Sequence, residues 1–210
     1  MQSRNYIFWE VDVQADFMLP GGKLYVPGAE KILPNIRKLT DAARRDEVLL
    51  VSHGCFHPEN DPEFSQFPPH CLKGTPGAEF VPEALADKVA RVENVASAKL
   101  PADLAQYQQI LLEKQTLDIF KTLHADELVK RLGDEAEFVV FGVVTEYCVN
   151  HAVRGLLERK RRVAVVRDAI QTLAVEAGAN TLAELQRMGA SLVTTHEALK
   201  KLTVNCSAIS

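Results

Sequence analysis

The sequence offers no recognisable leader: MQSRNYIFWEVDV lacks a charged-then-apolar start with a small-residue cleavage site. No apolar run approaches the length needed to span a bilayer. A soluble, cytoplasmic protein with no membrane partner is the expectation. Blocks of like charge are missing as well. The formal net charge of -4 is spread along the chain, and the basic cluster 160–162 reads as a solvated helix end, so nucleic acid is not an expected partner. Cysteine is sparse. Cys55, Cys71, Cys148 and Cys206 need no disulfide framework in a chain of 210 residues, and a reducing compartment leaves them free for chemistry. No repeat or linker divides the chain, and Gly21-Gly22 lacks the third glycine and the spacing of a dinucleotide fingerprint.

What is present suits one globular domain over residues 1–210, with 47% hydrophobic and 25% charged residues. Apolar runs rich in β-branched and aromatic residues predict strands at 6–13, 48–52, 110–113, 138–144, 163–166 and 191–194. Helical periodicity predicts helices at 29–45, 126–132, 175–188 and 197–202, and another after residue 148. Strands alternating with helices mean βαβ units. The expected fold is therefore a single doubly wound α/β domain with a mostly parallel sheet of about six strands.

The segment 137–159, EFVVFGVVTEYCVNHAVRGLLER, joins a doubly buried strand to an amphipathic helix whose stripe is Val149, Ala152, Val153, Leu156 and Leu157. Cys148 sits at the junction. The first turn of a helix carries unpaired N–H groups and the positive end of the macrodipole, which favour thiolate over thiol. A buried free cysteine is equally an ordinary small apolar residue, and position alone does not choose between the two.

Other strand ends bear on that choice. The first strand ends in the polar group Asp12, Gln14 and Asp16, and the strand at 110–113 delivers Lys114. In open α/β sheets such ends border the ligand crevice. Asp16, Lys114 and Cys148 would together supply an acid or base, a cation and a nucleophile. A helix-capping aspartate and a solvated lysine are the plainer readings. The helix N-terminus and Lys114 predict that Cys148 titrates below the free-thiol value of about 8.5, with Asp16 opposing them.

The long segment 53–82 is rich in His, Pro and Phe. Within it Cys55, His57 and Asp61 lie close in sequence, with His70 nine residues on, a set of donors able to hold Zn²⁺ or a similar divalent ion. Hydrogen-bonded loop residues would give the same pattern.

Four ordered motifs, VDVQADF at 11–17, HCLKGTPGAEF at 70–80, EKQTLDIF at 113–120 and GVVTEYCV at 142–149, resemble those of the isochorismatase-like cysteine hydrolases, and nicotinamidases above all. The resemblance implies a Rossmann-like sheet with helices on both faces and a triad of Asp16, Lys114 and Cys148 that hydrolyses a small amide through a thioester. It also implies a cis peptide between Val143 and Val144, with Val144 and Cys148 N–H forming an oxyanion hole. Nicotinamidases bind a metal through an Asp and three His; here Cys55, His57, Asp61 and His70 stand at those positions, so two of the four ligands are kept. Phe67 replaces the usual Trp, and with Phe17 and Tyr147 it can line a pocket for a flat substrate. Hydrolysis of another small amide or carbamoyl compound, or non-catalytic binding of a small molecule, are the competing expectations. A homo-oligomer is left open.

Overall fold

Successive residues of the central strands face opposite ways, and both directions are apolar. Phe8, Leu50, Leu111, Val139 and Phe141 point into one core, and Ile7, Trp9, Val51, Ile110, Phe138 and Val140 into another. A strand buried on both faces needs helices on both sides. The computed structural model, which describes residues 5–206, meets that need. Its strands are β1 (Tyr6–Val11), β2 (Leu49–Cys55), β3 (Val89–Val92), β4 (Gln109–Lys114), β5 (Glu137–Val143), β6 (Arg162–Gln171) and β7 (Ser191–Val193). They form one sheet in the order β3-β4-β2-β1-β5-β6-β7, and every ladder is parallel.

Helices α2 (Leu33–Arg44) and α6 (Thr195–Cys206) cover the first core with Ile36, Leu39, Ala198 and Leu202. The second is covered by α3 (Ala125–Leu132), α4 (Asn150–Glu158) and α5 (Val175–Arg187), through Leu128, Val129, Val153, Leu156 and Leu185. The doubly wound parallel architecture is as expected, with seven strands where about six were read. The additional strand is β3, four residues at the sheet edge with Arg91 exposed, too short for its pattern to register. The expected helix at 29–45 is divided: a 3₁₀ turn, Ala29–Ile32, precedes α2, which starts with Pro34 in its first turn, where a missing N–H costs nothing.

The chain steps from β1 to β2 on one side, and β5 later takes the other side of β1. The crevice of a doubly wound sheet opens at such a reversal, beyond the carboxyl ends of the strands. Residues just past β1 and β5, and the last residues of β2 and β4, therefore face one another.

Candidate active site

Cys55 and Lys114 are the last residues of β2 and β4 and are paired in the ladder, so both side chains emerge at one level. Asp12 follows β1 directly. Its φ of 53° turns the chain out of the strand, while its N–H still bonds His53 O at 2.9 Å. Lys114 Nζ lies 3.0 Å from Asp12 Oδ2, 2.9 Å from Cys55 Sγ and 3.6 Å from Cys148 Sγ. All four residues are buried. Burial works against the ammonium, but Asp12 and the two thiols outweigh it and hold Lys114 well above its ordinary value, so it stays charged.

The aspartate in this cluster is Asp12, which corrects the expectation of Asp16. The Asp16 carboxylate accepts Cys71 N–H at 2.7 Å and Lys23 N–H at 3.0 Å, tying α1 (Ala15–Met18) to the loops beyond it. A Cβ on Gly77 would fall 2.4 Å from that carboxylate, so the loop closes over Asp16. It borders a separate cleft of about 530 Å³ shared with Lys23 and His70.

The expected low titration of Cys148 is also corrected. Burial pushes this thiol well up, and Asp12, which accepts its hydrogen bond, pushes it further; Lys114 pulls the other way without prevailing. The expectation weighed the helix end and the lysine but not the desolvation of a sulfur in an apolar wall. Cys148 rests as a thiol near the Asp12 carboxylate.

The Val143–Val144 peptide is cis, as the resemblance implied. Cys148 then lies in a wide π-helical turn, Thr145–Val149, rather than in the first turn of α4 itself. Such widened turns recur at functional sites. Within it Glu146 accepts Thr172 Oγ1–H at 2.6 Å and the N–H groups of Leu173 and Ala174 at 3.0 Å, fastening the chain after β6 to the cysteine turn. Gln14 does the same for Cys55: it accepts Cys55 N–H at 2.7 Å and donates to Cys55 O and Ala78 O at 2.6 Å.

The two loop histidines are brought together by His57 N–H bonding Cys71 O at 3.0 Å and Lys73 N–H bonding His57 O at 2.9 Å. Ligand atoms of Cys55, His57 and His70 lie within 4.8 Å of one another. His57 Nδ1 is engaged by Asp61 Oδ2 at 2.9 Å and His70 Nδ1 by Pro68 O at 2.8 Å. Each ring is thereby fixed with Nε2 left over, the arrangement in which histidine ligates metal. His57 Nε2 is buried and has no hydrogen-bond partner among the described residues. One soft sulfur and two imidazoles suit zinc, and the residues fit a divalent ion. Asp61, expected as a ligand, instead orients His57, because its other oxygen accepts Glu63 N–H at 2.9 Å.

A cavity of about 90 Å³ opens above Cys148 and Cys55, with Phe17, Phe67, Tyr147 and Val144 in its walls. The three aromatics expected to meet there do so. Phe67 packs edge-on against Tyr147 at 6.2 Å between ring centres, and Phe17 lies 5.3 Å from the His70 ring.

The model of the isochorismatase domain matches residues 10–197. The chain belongs to the isochorismatase family. Among relatives, the nicotinamidase of Escherichia coli K12 is 25% identical over 207 residues, covering 88% of this chain and 92% of its own. The nicotinamidase/pyrazinamidase of Mycobacterium tuberculosis is 26% identical over 189 residues, covering 87% and 95%. A solved pyrazinamidase of Pyrococcus horikoshii in complex with zinc superposes with a TM-score of 0.72 at 27% identity, covering 90% of this chain and 99% of that one. Like these members of the isochorismatase family, the protein is a hydrolase. No helix among the described residues is long and apolar enough to cross a membrane.

Proposed function

We propose that the protein hydrolyses a small amide to the acid and ammonia through a thioester on Cys148, in the manner of a nicotinamidase. The observation that carries this reading is the meeting of Asp12 and Cys148 on one buried ammonium, Lys114, at the floor of an aromatic-walled cavity. A binder has no need of a buried ion pair beside a thiol.

In the proposed cycle a carbonyl enters above Cys148, Asp12 takes the thiol proton, and sulfur attacks the carbonyl carbon. The oxyanion is received by the N–H groups of Val144 and Cys148, which stand at the mouth of the cysteine turn. Lys114 remains charged throughout and offsets the anionic charge passing between Asp12, sulfur and oxygen. As the tetrahedral species collapses, Asp12 returns its proton to the departing nitrogen and ammonia leaves. Water then attacks the thioester with Asp12 again as base, the carbon–sulfur bond breaks to release the acid, and the proton on Asp12 returns to the Cys148 sulfur. Zinc held by Cys55, His57 and His70 would supply a Lewis-acidic point that fixes a heteroatom of the substrate. Phe17, Phe67 and Tyr147 would hold a flat ring.

The altered metal set, with Cys55 and Asp61 at two of the four positions, supports a second reading in which another small amide or carbamoyl compound is the substrate. An ammonia-release screen over nicotinamide, pyrazinamide, carbamoyl amines and aliphatic amides separates the two. Cys148→Ala should release none while remaining folded; turnover by that variant would overturn the thioester mechanism.

A further inference from the structure

We propose that Glu63 selects the substrate by binding a cationic nitrogen carried at a distance from the scissile carbonyl, a proposal that rests on the amidase reading above. Glu63 lies on the short turn Pro62–Ser65 and borders the same cavity as Cys148, Phe67 and Tyr147. Glu63 N–H donates to Asp61 Oδ1 at 2.9 Å, which sets Glu63 beside the His57 ring that Asp61 holds. Glu63 is half-buried, yet no described residue gives its carboxylate a hydrogen bond or an ion pair. The neighbouring ammonium, Lys114, is already paired with Asp12, and the His57 ring is already hydrogen-bonded to Asp61. Glu63 also stands outside the group of Cys55, His57 and His70 whose ligand atoms lie within 4.8 Å of one another.

A carboxylate withdrawn from water without a partner is costly, and in an apolar cavity a lone polar group usually fixes the orientation of the occupant. Asp12 is paired with Lys114 and Asp61 with the His57 ring, so Glu63 is the carboxylate left to meet an occupant of the cavity, and a cation is its complement. The matching substrate is an amide bearing a primary ammonium or amidinium on the side away from the carbonyl.

The test compares the 3- and 4-(aminomethyl)benzamides with the 3- and 4-ethylbenzamides, which match them in shape but carry no charge. Binding is measured by calorimetry to Cys148→Ala protein and to the same protein with Glu63→Gln, with metal content measured in both. At least one ammonium amide should bind about tenfold or more tightly than its ethyl counterpart, as expected for a charge-assisted contact. Glu63→Gln should remove that preference, leave the ethyl amide within about twofold and leave metal content unchanged. Absence of the preference, its survival in Glu63→Gln, or loss of metal from that variant would each overturn the proposal. Ammonia release by the protein with Cys148 intact is scored separately: if no amide turns over, the amidase reading fails, while the calorimetric result still decides the role of Glu63.

Discussion

Asp12 and Lys114 form a fully buried ion pair, with Nζ 3.0 Å from Oδ2, and both thiols of the site lie against the same ammonium. Removing one partner of such a pair leaves a charge in the interior with nothing to offset it, which typically costs about 3–5 kcal/mol. Asp12→Ala should therefore lose essentially all turnover and also lower stability by that amount, read by denaturant unfolding beside the ammonia assay. Asp16→Asn should behave otherwise. It loses one of two backbone contacts at a cost of about 1–3 kcal/mol and retains turnover within about tenfold. Equal loss of activity in the two variants would show that the proton acceptor has been misassigned.

The raised titration of Cys148 predicts slow alkylation in the absence of substrate. At a given pH near 8 the thiolate fraction lies below that of a free peptide thiol, so iodoacetamide should react more slowly with Cys148 and accelerate only at higher pH. Asp12→Asn removes the acceptor charge that disfavours the thiolate, and the alkylation profile should move to lower pH. Faster alkylation than a peptide thiol would contradict the burial argument.

Metal content offers an independent check. The purified protein should carry about one zinc per chain by elemental analysis, and His57→Ala or Cys55→Ala should lose it. Asp61→Asn weakens the hold on His57 Nδ1 without removing a ligand, so affinity should fall by about 10–100-fold, measured by chelator competition. An Asp61 variant as depleted as His57→Ala would place Asp61 among the ligands after all.

Glu10 predicts an unusual dependence of stability on pH. It is buried in β1, and burial raises its pKa to about 8 despite a hydrogen bond from Ser52 at 2.7 Å. The unfolded chain loses this proton near 4.5, whereas the folded protein keeps it until about 8. Between those values the folded state binds more protons, so stability falls as pH rises, by up to about 1.4 kcal/mol per pH unit, and levels off above 8. His53 has the opposite sense: burial lowers it to about 3, so its contribution is lost as pH falls below about 6.5. Chemical denaturation of wild type and Glu10→Gln from pH 6.5 to 8.5 isolates Glu10, and an identical slope in both would show that Glu10 is not its source.

The parts of this site that the sequence revealed are those whose position follows from local pattern. Lys114 ends one strand and Cys148 lies in the turn that follows another, both strands being clear apolar runs, and Phe17, Phe67 and Tyr147 meet at one cavity. Asp12 was in view as a neighbour of Asp16 in one motif, but choosing between them needed the end of β1 to be placed within one or two residues. Such boundaries are what periodicity defines least well. Asp61 differs for another reason: spacing shows a carboxylate near His57 but not that one of its oxygens caps a 3₁₀ turn while the other holds the His57 ring. Gln14 and Glu146 act through contacts between segments far apart in sequence, and β3 is too short to leave a pattern.

Glu146 joins the turn bearing Cys148 to the chain at 172–174, and Leu173 from that chain borders the cavity. One flank of the pocket and the nucleophile thus move as a single body. Redesign of substrate preference should begin at Leu24, Val26 or Leu117, which line the cavity and make none of the contacts of Glu146. Substitutions around Leu173 that disturb its N–H contact would change preference and reactivity together, so a larger substrate gained there would be processed by a displaced sulfur.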